Sequence, residues 1–381
     1  MKVVVLGTGF IGSMVVEELA KHPGIDSLDA VDGVADAVNA SVAKAGNAKV
    51  QCKVADLAAP GVLEGLLAGA DFAVAALPHS LSFPAIHAAI ASKCHLMDMV
   101  GSRFPEKKAL HAAAKEAGVL IVPGTGVAPG LANVLAARGV ELLDEADLAV
   151  VLCGGIPRHP LPPLGYQIVF RLESVMGLYT RPGVAIEGGK VVPLPPLSNL
   201  EPCTFPDPIG DCETVITDAH GMAYVLEGKV DRLYERTVRF KGHWGKMQTL
   251  AELGYLNEEP IDVDGTMVSP RRFSMALLEP QLKGASEEDI TALRVTVTGK
   301  KDGRPAGNEW EMVDLYDQER GLTSMAKTTG FPTVVMGEML AEGRLPERGV
   351  LAPEELLVGE RFEPFLAELK GKGIEISHRA W

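Results

Sequence analysis

The chain has 381 residues, 47% of them hydrophobic and 23% charged, and this length predicts two packed domains. Its 50 acidic and 36 basic side chains give a net charge of −14 at pH 7. A surface of that sign repels phosphate backbones and anionic lipids, which argues against nucleic acids and membranes as partners.

The cysteines and the apolar stretches indicate a reduced, cytoplasmic protein. The 5 cysteines form no C-x-x-C pair, which argues against a disulfide framework and a zinc site, and the histidine spacing predicts no other metal site. Residues 72–92 and 117–137 contain no Asp, Glu, Lys or Arg, but prolines interrupt both, so we interpret them as buried strands joined to helices. The N-terminal apolar run has no basic region before it and predicts a strand, not a signal peptide.

The first 130 residues alternate β-branched strands with alanine-rich helices. This alternation predicts an α/β domain with a Rossmann-type, doubly wound parallel sheet and helices on both faces. The predicted strands cover residues 2–6, 27–31, 50–54, 72–77, 95–99 and 119–122, and the predicted helices cover residues 13–21, 84–92 and 106–117.

A second, α+β domain is predicted for residues 131–325, where longer strands indicate a mostly antiparallel sheet. These strands cover residues 150–152, 185–192, 230–241, 293–298 and 309–316, with a turn at residues 300–303. The dense prolines between residues 157 and 208 favour ordered loops over helices. Residues 326–381 return to helix, at residues 333–343, 353–357 and 361–370.

A glycine-rich turn between the first strand and the first helix predicts a dinucleotide site. In Gly7-Thr8-Gly9-Phe10-Ile11-Gly12 the first glycine permits a tight turn, the second lets the backbone approach a pyrophosphate, and the third allows close packing of helix on strand. Asp32 ends the second predicted strand, where a carboxylate accepts hydrogen bonds from the adenosine ribose. Because this carboxylate would repel a 2′-phosphate, and residues 33–35 include no arginine, we expect NAD and not NADP as the cofactor.

The ends of the next predicted strands supply further candidates for the cofactor crevice. Asp56 can reach the adenine or cap the following helix. Asp98 is the only ionisable residue within residues 97–101, and both a catalytic or orienting role and a loop-capping role are open to it. The remaining candidates lie where the carboxyl ends of parallel strands border the crevice, and they are Ala76, Leu77, Pro78, Val100 and Gly101.

A rigid loop and several later motifs establish a family resemblance. The loop Gly126-Val127-Ala128-Pro129-Gly130 follows the sixth predicted strand and is a candidate contact of the nicotinamide or the substrate. The later motifs are Cys153-Gly154-Gly155-Ile156-Pro157, Pro162-Pro163-Leu164-Gly165-Tyr166, Arg239-Phe240-Lys241-Gly242-His243, Met325-Ala326-Lys327-Thr328-Thr329-Gly330 and Arg348-Gly349-Val350-Leu351-Ala352-Pro353-Glu354. With the N-terminal glycine motif, they make the chain resemble the saccharopine reductase-like family of amino-acid dehydrogenases, and within it the lysine 6-dehydrogenases.

The resemblance implies an architecture and a reaction. The C-terminal helices would return to the nucleotide-binding domain, and the sheet of the second domain would cover the substrate and mediate contacts in a homodimer or higher oligomer. The reaction would be NAD-dependent oxidation of a carbon that bears an amine. Family members acting on saccharopine are expected to have Gly-Leu-Asp-Pro-Gly in the loop, whereas Ala128 cannot accept a proton or pair with a secondary ammonium. We therefore expect L-lysine or a close diamino acid as substrate, giving a semialdehyde that cyclises.

Arg239 is the first candidate for binding a substrate carboxylate. It alternates with Thr237 and Lys241 along a predicted strand, so the three side chains share one face. If this face lines a cleft, the guanidinium can clamp a carboxylate with two hydrogen bonds. If it faces water, the three residues form a solvated polar stripe.

Four further side chains of the second domain are candidates for the site. His243 is the first candidate for proton transfer and His220 the second, because histidine titrates near neutral pH. Tyr166 can hydrogen-bond an amino-acid substrate or seal an interface, and Thr217 is a further substrate contact. Cys153 has no His or Lys close in sequence that would activate its thiol, which favours a structural role.

Two alternatives to a lysine dehydrogenase stay open. One is a dehydrogenase that acts on a secondary amine, namely saccharopine or a carboxyalkyl polyamine. The other is an NAD-binding redox sensor without turnover. Formation of NADH from NAD and lysine would distinguish a catalyst from the sensor.

Overall fold

The structure is a computed structural model that describes residues 1–168, 172–284 and 286–381, with all of their side chains except that of Ser174. The chain divides into two compact units. Unit 1 comprises residues 1–141, 220–225 and 326–374, and unit 2 comprises residues 142–219, 226–325 and 375–381. No helix in these described ranges is long and apolar enough to cross a membrane.

Strands and helices alternate through residues 1–141. The strands are β1 (Lys2–Leu6), β2 (Ser27–Asp32), β3 (Val50–Val54), β4 (Phe72–Ala75), β5 (His95–Asp98) and β6 (Leu120–Pro123). The helices are α1 (Phe10–Lys21), α2 (Ala35–Ala45), α3 (Val62–Leu67), α4 (His79–Ala91), α5 (Phe104–Lys108), α6 (His111–Glu116) and α7 (Leu131–Glu141).

Longer strands dominate the middle of the chain. They are β7 (Glu145–Pro157), β8 (Gly183–Glu187), β9 (Lys190–Leu194), β10 (Glu201–Phe205), β11 (Gly210–Thr217), β12 (Val230–Phe240), β13 (Ile261–Val263), β14 (Thr266–Val268), β15 (Asp289–Lys301) and β16 (Arg304–Leu315). The helices among them are α8 (Leu172–Thr180), α9 (His220–Leu226), α10 (His243–Glu252) and α11 (Pro270–Leu282).

The last part of the chain is mostly helical. Its elements are α12 (Ser324–Ala341), β17 (Gly349–Val350), α13 (Pro353–Leu356), a 3₁₀ turn (Gly359–Arg361), α14 (Phe362–Gly371) and β18 (Ser377–Ala380). Of these, β17 pairs with β6 in unit 1, and β18 pairs with β16 in unit 2.

The sheet of unit 1 is parallel and has 7 strands in the order β17-β6-β5-β4-β1-β2-β3. The direction of winding reverses between β1 and β4, and ligands of doubly wound sheets bind outside the strand ends at such a switch point. Val3, Val4, Val5 and Leu6 are all fully buried, so both faces of β1 are covered. This confirms the predicted Rossmann-type α/β sheet.

Helix α12 packs on α1 within unit 1 through a glycine. A Cβ atom on Gly330 would overlap the terminal methyl of Met14. Further along α12, a Cβ on Gly337 would lie 3.3 Å from the Phe72 ring and 3.4 Å from Leu19. The absence of side chains at these two positions lets the helix approach α1 and β4 closely.

The large sheet of unit 2 has 9 strands, with the main order β10-β11-β12-β7-β15-β16-β18 and the hairpin β8–β9 attached to β12. The pair β7–β12 is parallel, and the other pairs described in this sheet are antiparallel. This mixed sheet confirms a second domain of the predicted class. The separate hairpin β13–β14 lies outside it.

The structure corrects several predicted helices. Helix α8 lies in the proline-dense region predicted to be loop, because Val175, Met176 and Tyr179 share one face and are buried in a core cluster. Helix α12 begins at Ser324 and not at residue 333, and it contains Pro332. Helix α4 likewise extends back to His79, with Pro84 inside. In α4 and α12 the burial of apolar side chains outweighs the hydrogen bond that the proline removes.

Two predicted elements are divided in the structure. The predicted strand at residues 185–192 forms the two strands β8 and β9, because Gly188 and Gly189 adopt positive φ angles of 58° and 74° and turn the chain. The predicted helix at residues 106–117 forms the two short helices α5 and α6. The turn at residues 300–303 is confirmed, with positive φ at Asp302 and Gly303.

Candidate functional site

The glycine-rich turn of unit 1 has the shape of a pyrophosphate site. Gly7 has φ +90°, and a Cβ there would overlap the carbonyl oxygen of Ala76. A Cβ on Gly12 would overlap the carbonyl oxygen of Gly7, whereas the Cβ position of Gly9 has no atom within 4 Å. Gly9 caps α1 without a side-chain hydrogen bond, so the first amides of this helix stay available to an anion.

Asp32 connects the end of β2 to this turn through hydrogen bonds. Its Oδ2 accepts the backbone N–H of Thr8 over 2.7 Å, and its Oδ1 accepts the N–H of Val34 over 3.1 Å. Oδ2 also accepts the hydroxyl of Thr8 over 3.4 Å, whereas Oδ1 keeps a lone pair that can accept a hydrogen bond from a ribose hydroxyl. The residues therefore fit a dinucleotide.

The other predicted cofactor contacts lie at the ends of neighbouring strands. Ala76, Leu77 and Pro78 follow β4, and the amide of Ala76 bonds to the carbonyl of Leu6 in β1 over 2.9 Å. Asp56 is exposed and accepts the N–H of Ala58 over 3.0 Å. The cap of α3 is Gly61 and not Asp56, so the predicted capping of the helix itself by Asp56 is wrong.

Asp98 lies in a fully buried ion pair. Its Oδ2 accepts the Ser82 hydroxyl over 2.6 Å and the ammonium of Lys107 over 2.9 Å, and its Oδ1 accepts the N–H of Val100 over 3.0 Å. Both charged side chains are 0% exposed, and burial lowers the pKa of Lys107 although Asp98 opposes this shift. This geometry favours the loop-capping interpretation, because Asp98 holds the chain that leaves β5.

The loop that follows β6 packs on the same sheet edge. A Cβ on Gly101, after β5, would overlap the ring of Pro129, and a Cβ on Gly124 would lie 3.2 Å from that ring. The hydroxyl of Thr333 donates to the carbonyl of Thr125 over 2.8 Å and anchors the start of the loop to α12. Pro129 and its neighbours therefore border the carboxyl ends of β5 and β6.

In unit 2, Arg239 lies inside an aromatic cluster near the end of β12. It is 1% exposed, and its guanidinium carbon lies 4.7 Å from the ring centroid of Tyr166 and 5.6 Å from that of Trp244. One guanidinium N–H donates to the carbonyl of Val238 over 2.8 Å. Among the described residues, Nε has no hydrogen-bond partner and no carboxylate forms an ion pair with the side chain. The solvated-stripe interpretation of Arg239 is therefore wrong, although Lys241 is exposed.

His243 is buried beside Arg239 at the start of α10, where Gly242, with φ +88°, turns the chain from strand into helix. Its Nδ1 lies 3.1 Å from the carbonyl oxygen of Leu164, and its Nε2 lies 3.0 Å from the hydroxyl of Tyr179. A carbonyl only accepts, so Nδ1 carries the proton and Nε2 accepts from Tyr179. Burial, together with the charge of Arg239, lowers the pKa of His243 to about 3, and the ring is neutral at neutral pH.

The remaining predicted residues of the site lie at different distances from this cluster. The ring centroid of Tyr166 is 5.4 Å from that of His243, so Tyr166 belongs to the cluster. Thr217 ends β11, and its hydroxyl lies 3.0 Å from that of Thr237, two residues before Arg239. His220 is half-buried, has φ 49° and begins α9, in a segment of unit 1.

Two members of the cluster were missed by the sequence analysis. Tyr179 is 3% and Trp244 1% exposed, and their rings lie 5.8 Å apart. Trp244 directly follows His243, which is a usable sequence signal, but Tyr179 lies in a helix that was not predicted. Burial raises the pKa of the nearby Cys153 thiol to about 12, which fits the predicted structural role of that residue.

Comparison with known proteins identifies the family. Residues 3–122 match the model of the saccharopine dehydrogenase NADP binding domain, and residues 126–374 match that of the saccharopine dehydrogenase C-terminal domain. The chain belongs to the saccharopine dehydrogenase family. This confirms the resemblance to the family and a nucleotide-binding domain at the N-terminus, while the resemblance to the lysine 6-dehydrogenases within the family stays a prediction.

Individual relatives of the family are distant. Mouse alpha-aminoadipic semialdehyde synthase is 23% identical over 98% of this chain and 47% of that protein, so the chain spans about half of its length. Saccharopine dehydrogenase [NADP(+), L-glutamate-forming] of Saccharomyces cerevisiae is 22% identical over 97% of both chains. Carboxyaminopropylagmatine dehydrogenase of Synechocystis is 22% identical over 98% of this chain and 96% of that protein.

A solved structure confirms the fold. The apo histidine-tagged saccharopine dehydrogenase (L-Glu forming) from Saccharomyces cerevisiae has a TM-score of 0.80 and 18% sequence identity, covering 100% of this chain and 99% of the other. The matched domain is named for NADP, and so is the yeast relative. The choice of NAD, made from Asp32, therefore stays a prediction.

Proposed function

We propose that the protein is an NAD-dependent dehydrogenase that oxidises the carbon bearing the side-chain amine of L-lysine or a close diamino acid. A bound NAD would supply the acceptor for the hydride that leaves that carbon. The substrate is left as an imine, which water hydrolyses to ammonia and a semialdehyde that cyclises. Family membership and relatives named as dehydrogenases support the reaction type.

Arg239 is the observation that supports an amino acid as the substrate. A buried guanidinium without a carboxylate partner costs several kcal/mol, at about the scale of other uncompensated buried charges. A substrate α-carboxylate would supply the missing charge, and the planar guanidinium can hold it with two hydrogen bonds. The rings of Tyr166 and Trp244 exclude water from this contact and strengthen it.

The neutral histidine supports a positioning role within this cluster. Tyr179 donates to Nε2 of His243, and the charge of Arg239 helps to lower the pKa of that ring, so the three side chains interact within one cluster. His243 can accept a proton only at Nε2, the atom that Tyr179 occupies in this structure. The amine itself must be neutral before hydride transfer, because an ammonium has no lone pair to expel the hydride.

Asp32 supports NAD as the cofactor. Its carboxylate faces the position where the ribose hydroxyls are expected, and it would repel a 2′-phosphate. The three following residues, Gly33, Val34 and Ala35, carry no cation that could bind such a phosphate.

A secondary amine is the second candidate substrate, because relatives are named for saccharopine, carboxynorspermidine and carboxyaminopropylagmatine. Ala128 argues for the primary amine. It is half-buried in the loop after β6 and places a methyl group where saccharopine-acting family members are expected to have a carboxylate. One hydrogen bond to a charged group contributes about 1.5–3 kcal/mol, so its absence changes substrate preference by about tenfold or more.

The role of Arg239 can be tested by comparing lysine with 1,5-diaminopentane, which has the same amine but no carboxylate. Arg239→Met should lower kcat/KM for lysine by about tenfold to a hundredfold and leave the diamine nearly unaffected. Arg239→Lys keeps the charge but cannot form the bidentate hydrogen bonds of a guanidinium, so its kcat/KM for lysine should lie between those of Arg239→Met and the wild type. Equal losses on both substrates would contradict carboxylate binding by Arg239.

A further inference from the structure

A buried glutamate that the proposed reaction does not use lies in α13. The side chain of Glu354 is 2% exposed, and its Oε1 accepts the side-chain N–H of Asn133 in α7 over 3.1 Å. Its Oε2 is buried and has no hydrogen-bond partner among the described residues. Burying a carboxyl oxygen without a hydrogen bond raises the free energy of the folded protein. We therefore expect the glutamate to contribute through the hydrogen bond that its other oxygen, Oε1, accepts.

Asn133 connects this carboxyl to the loop after β6. Its Oδ1 accepts the backbone N–H of Gly130 over 3.2 Å. Because a backbone N–H can only donate, the oxygen of the Asn133 amide must face Gly130, and its nitrogen must face Glu354. The three residues therefore form a hydrogen-bonded chain with one fixed polarity.

Gly130 closes the loop at the carboxyl edge of the sheet. It has φ +132°, and a Cβ there would overlap the carbonyl of Gly126. The ring of Pro129, between these glycines, packs on Gly101 and Gly124 at the ends of β5 and β6. Ligands of doubly wound sheets bind at this edge, so a shift of Gly130 would move the backbone that borders the cofactor crevice.

We propose that Glu354 is a positioning residue that fixes the Gly126–Gly130 loop against the edge of the sheet through Asn133. The catalytic consequence rests on the proposed function, because a displaced loop would change only the binding of the cofactor and the position of the reacting amine. The hydrogen bonds themselves do not depend on the identity of the substrate. Glu354 acts through Asn133 and is not itself assigned contact with the substrate.

The environment of Glu354 makes this arrangement sensitive to pH. Burial, with a smaller contribution from the charge of Glu355, raises the pKa of Glu354 to about 7. The hydrogen bond from Asn133 and the charge of Lys108 act in the opposite direction, and Lys108 pairs with Glu355 over 2.7 Å. Since the folded-state pKa is raised, the stabilising contribution is complete at low pH and is lost as pH rises through about 7.

Reversing the polarity of the Glu354–Asn133 hydrogen bond tests the proposal. In Asn133→Asp the introduced oxygen still accepts from Gly130, but a carboxylate then meets the carboxyl of Glu354. We expect faster deuterium exchange in the peptide containing residues 124–134 and a KM for NAD raised by about tenfold, with a smaller change in kcat. Adding Glu354→Gln lets an amide donate to the introduced carboxylate, so the double variant should return towards the wild type in both readouts.

Glu354→Gln alone is the second arm and does not introduce a repulsive pair. It keeps an acceptor for Asn133 and removes the titration, so the wild-type loss of loop protection between about pH 4.5 and about pH 7 should disappear. Exchange that is unchanged in Asn133→Asp, a double variant no better than Asn133→Asp, or the same pH dependence in Glu354→Gln and wild type would each overturn the proposal. Should no amine be oxidised by the wild type, the exchange results still decide the role of Glu354, and only the proposed function fails.

Discussion

Asp32 Oδ2 accepts the backbone N–H of Thr8 over 2.7 Å, so the acid that ends β2 also holds the glycine-rich turn. The same carboxylate is the group expected to bind the adenosine ribose. We therefore expect this one side chain both to hold the glycine-rich turn and to select the ribose of NAD. A substitution at Asp32 has to be designed so that the two effects can be separated.

The first prediction concerns the choice between NAD and NADP. Asp32→Ser combined with Gly33→Arg replaces a repulsive carboxylate by a cation and should narrow or reverse the preference for NAD. The position tolerates a side chain, because a Cβ on Gly33 would lie 3.6 Å from the carbonyl oxygen of Ala55, an ordinary van der Waals contact. The measurement is the ratio of kcat/KM for the two cofactors.

Asp32→Asn is the matched control for that variant. It keeps an oxygen that can accept from Thr8 but removes the charge, so it should bind NADP better than the wild type without the gain supplied by arginine. If the cofactor ratio of the double variant equals that of the wild type, Asp32 does not select the cofactor.

The second prediction concerns pH. A lysine side chain titrates near 10.4 in water, and only its neutral form can release a hydride, so kcat/KM for lysine should rise into the alkaline range. His243 does not oppose this rise, because its pKa of about 3 keeps it neutral throughout. Initial rates measured across the alkaline range provide the test. A rate maximum at about pH 6 would contradict oxidation of a primary amine.

The third prediction separates a structural from a catalytic role of Asp98. Lys107→Met leaves the carboxylate of Asp98 buried without its cation and should lower the free energy of unfolding by about 3–5 kcal/mol. Adding Asp98→Asn removes the second charge and keeps an acceptor for Ser82, so the double variant should recover part of the loss. Urea denaturation measures both values.

Activity completes this third test. If Asp98 caps the loop, Asp98→Asn should retain most of the kcat of the folded enzyme while losing stability. A stable Asp98→Asn variant with an abolished kcat would instead assign Asp98 to the chemistry.

The sequence was most informative where local geometry alone determines the structure. The turn from Gly7 to Gly12 and the acid at Asp32 were placed correctly relative to strand and helix, because residues close in sequence define that motif. The division into a parallel and a mostly antiparallel sheet followed in the same way, from the alternation of short apolar strands with helices and then from longer strands.

The aromatic cluster was harder to predict because its members come from distant segments. The alternation predicted Arg239 and Lys241 on one face, but β12 ends at Phe240, so Arg239 is 1% exposed while Lys241 lies in the following turn and is exposed. Tyr179 lies in α8, and it helps to enclose Arg239, but the prolines around α8 suggested a loop. Burial of a cation is thus set by tertiary partners, which local patterns do not show.

The most direct test of the proposed function measures NADH formed from NAD with L-lysine and with saccharopine under the same conditions. We expect kcat/KM for lysine to exceed that for saccharopine by about tenfold or more, the effect of the charged contact that Ala128 cannot make. A higher kcat/KM for saccharopine would contradict the substrate assignment and leave the fold and family unchanged. No NADH from any amine, by a protein that still binds NADH, would contradict an enzymatic function and favour the sensor.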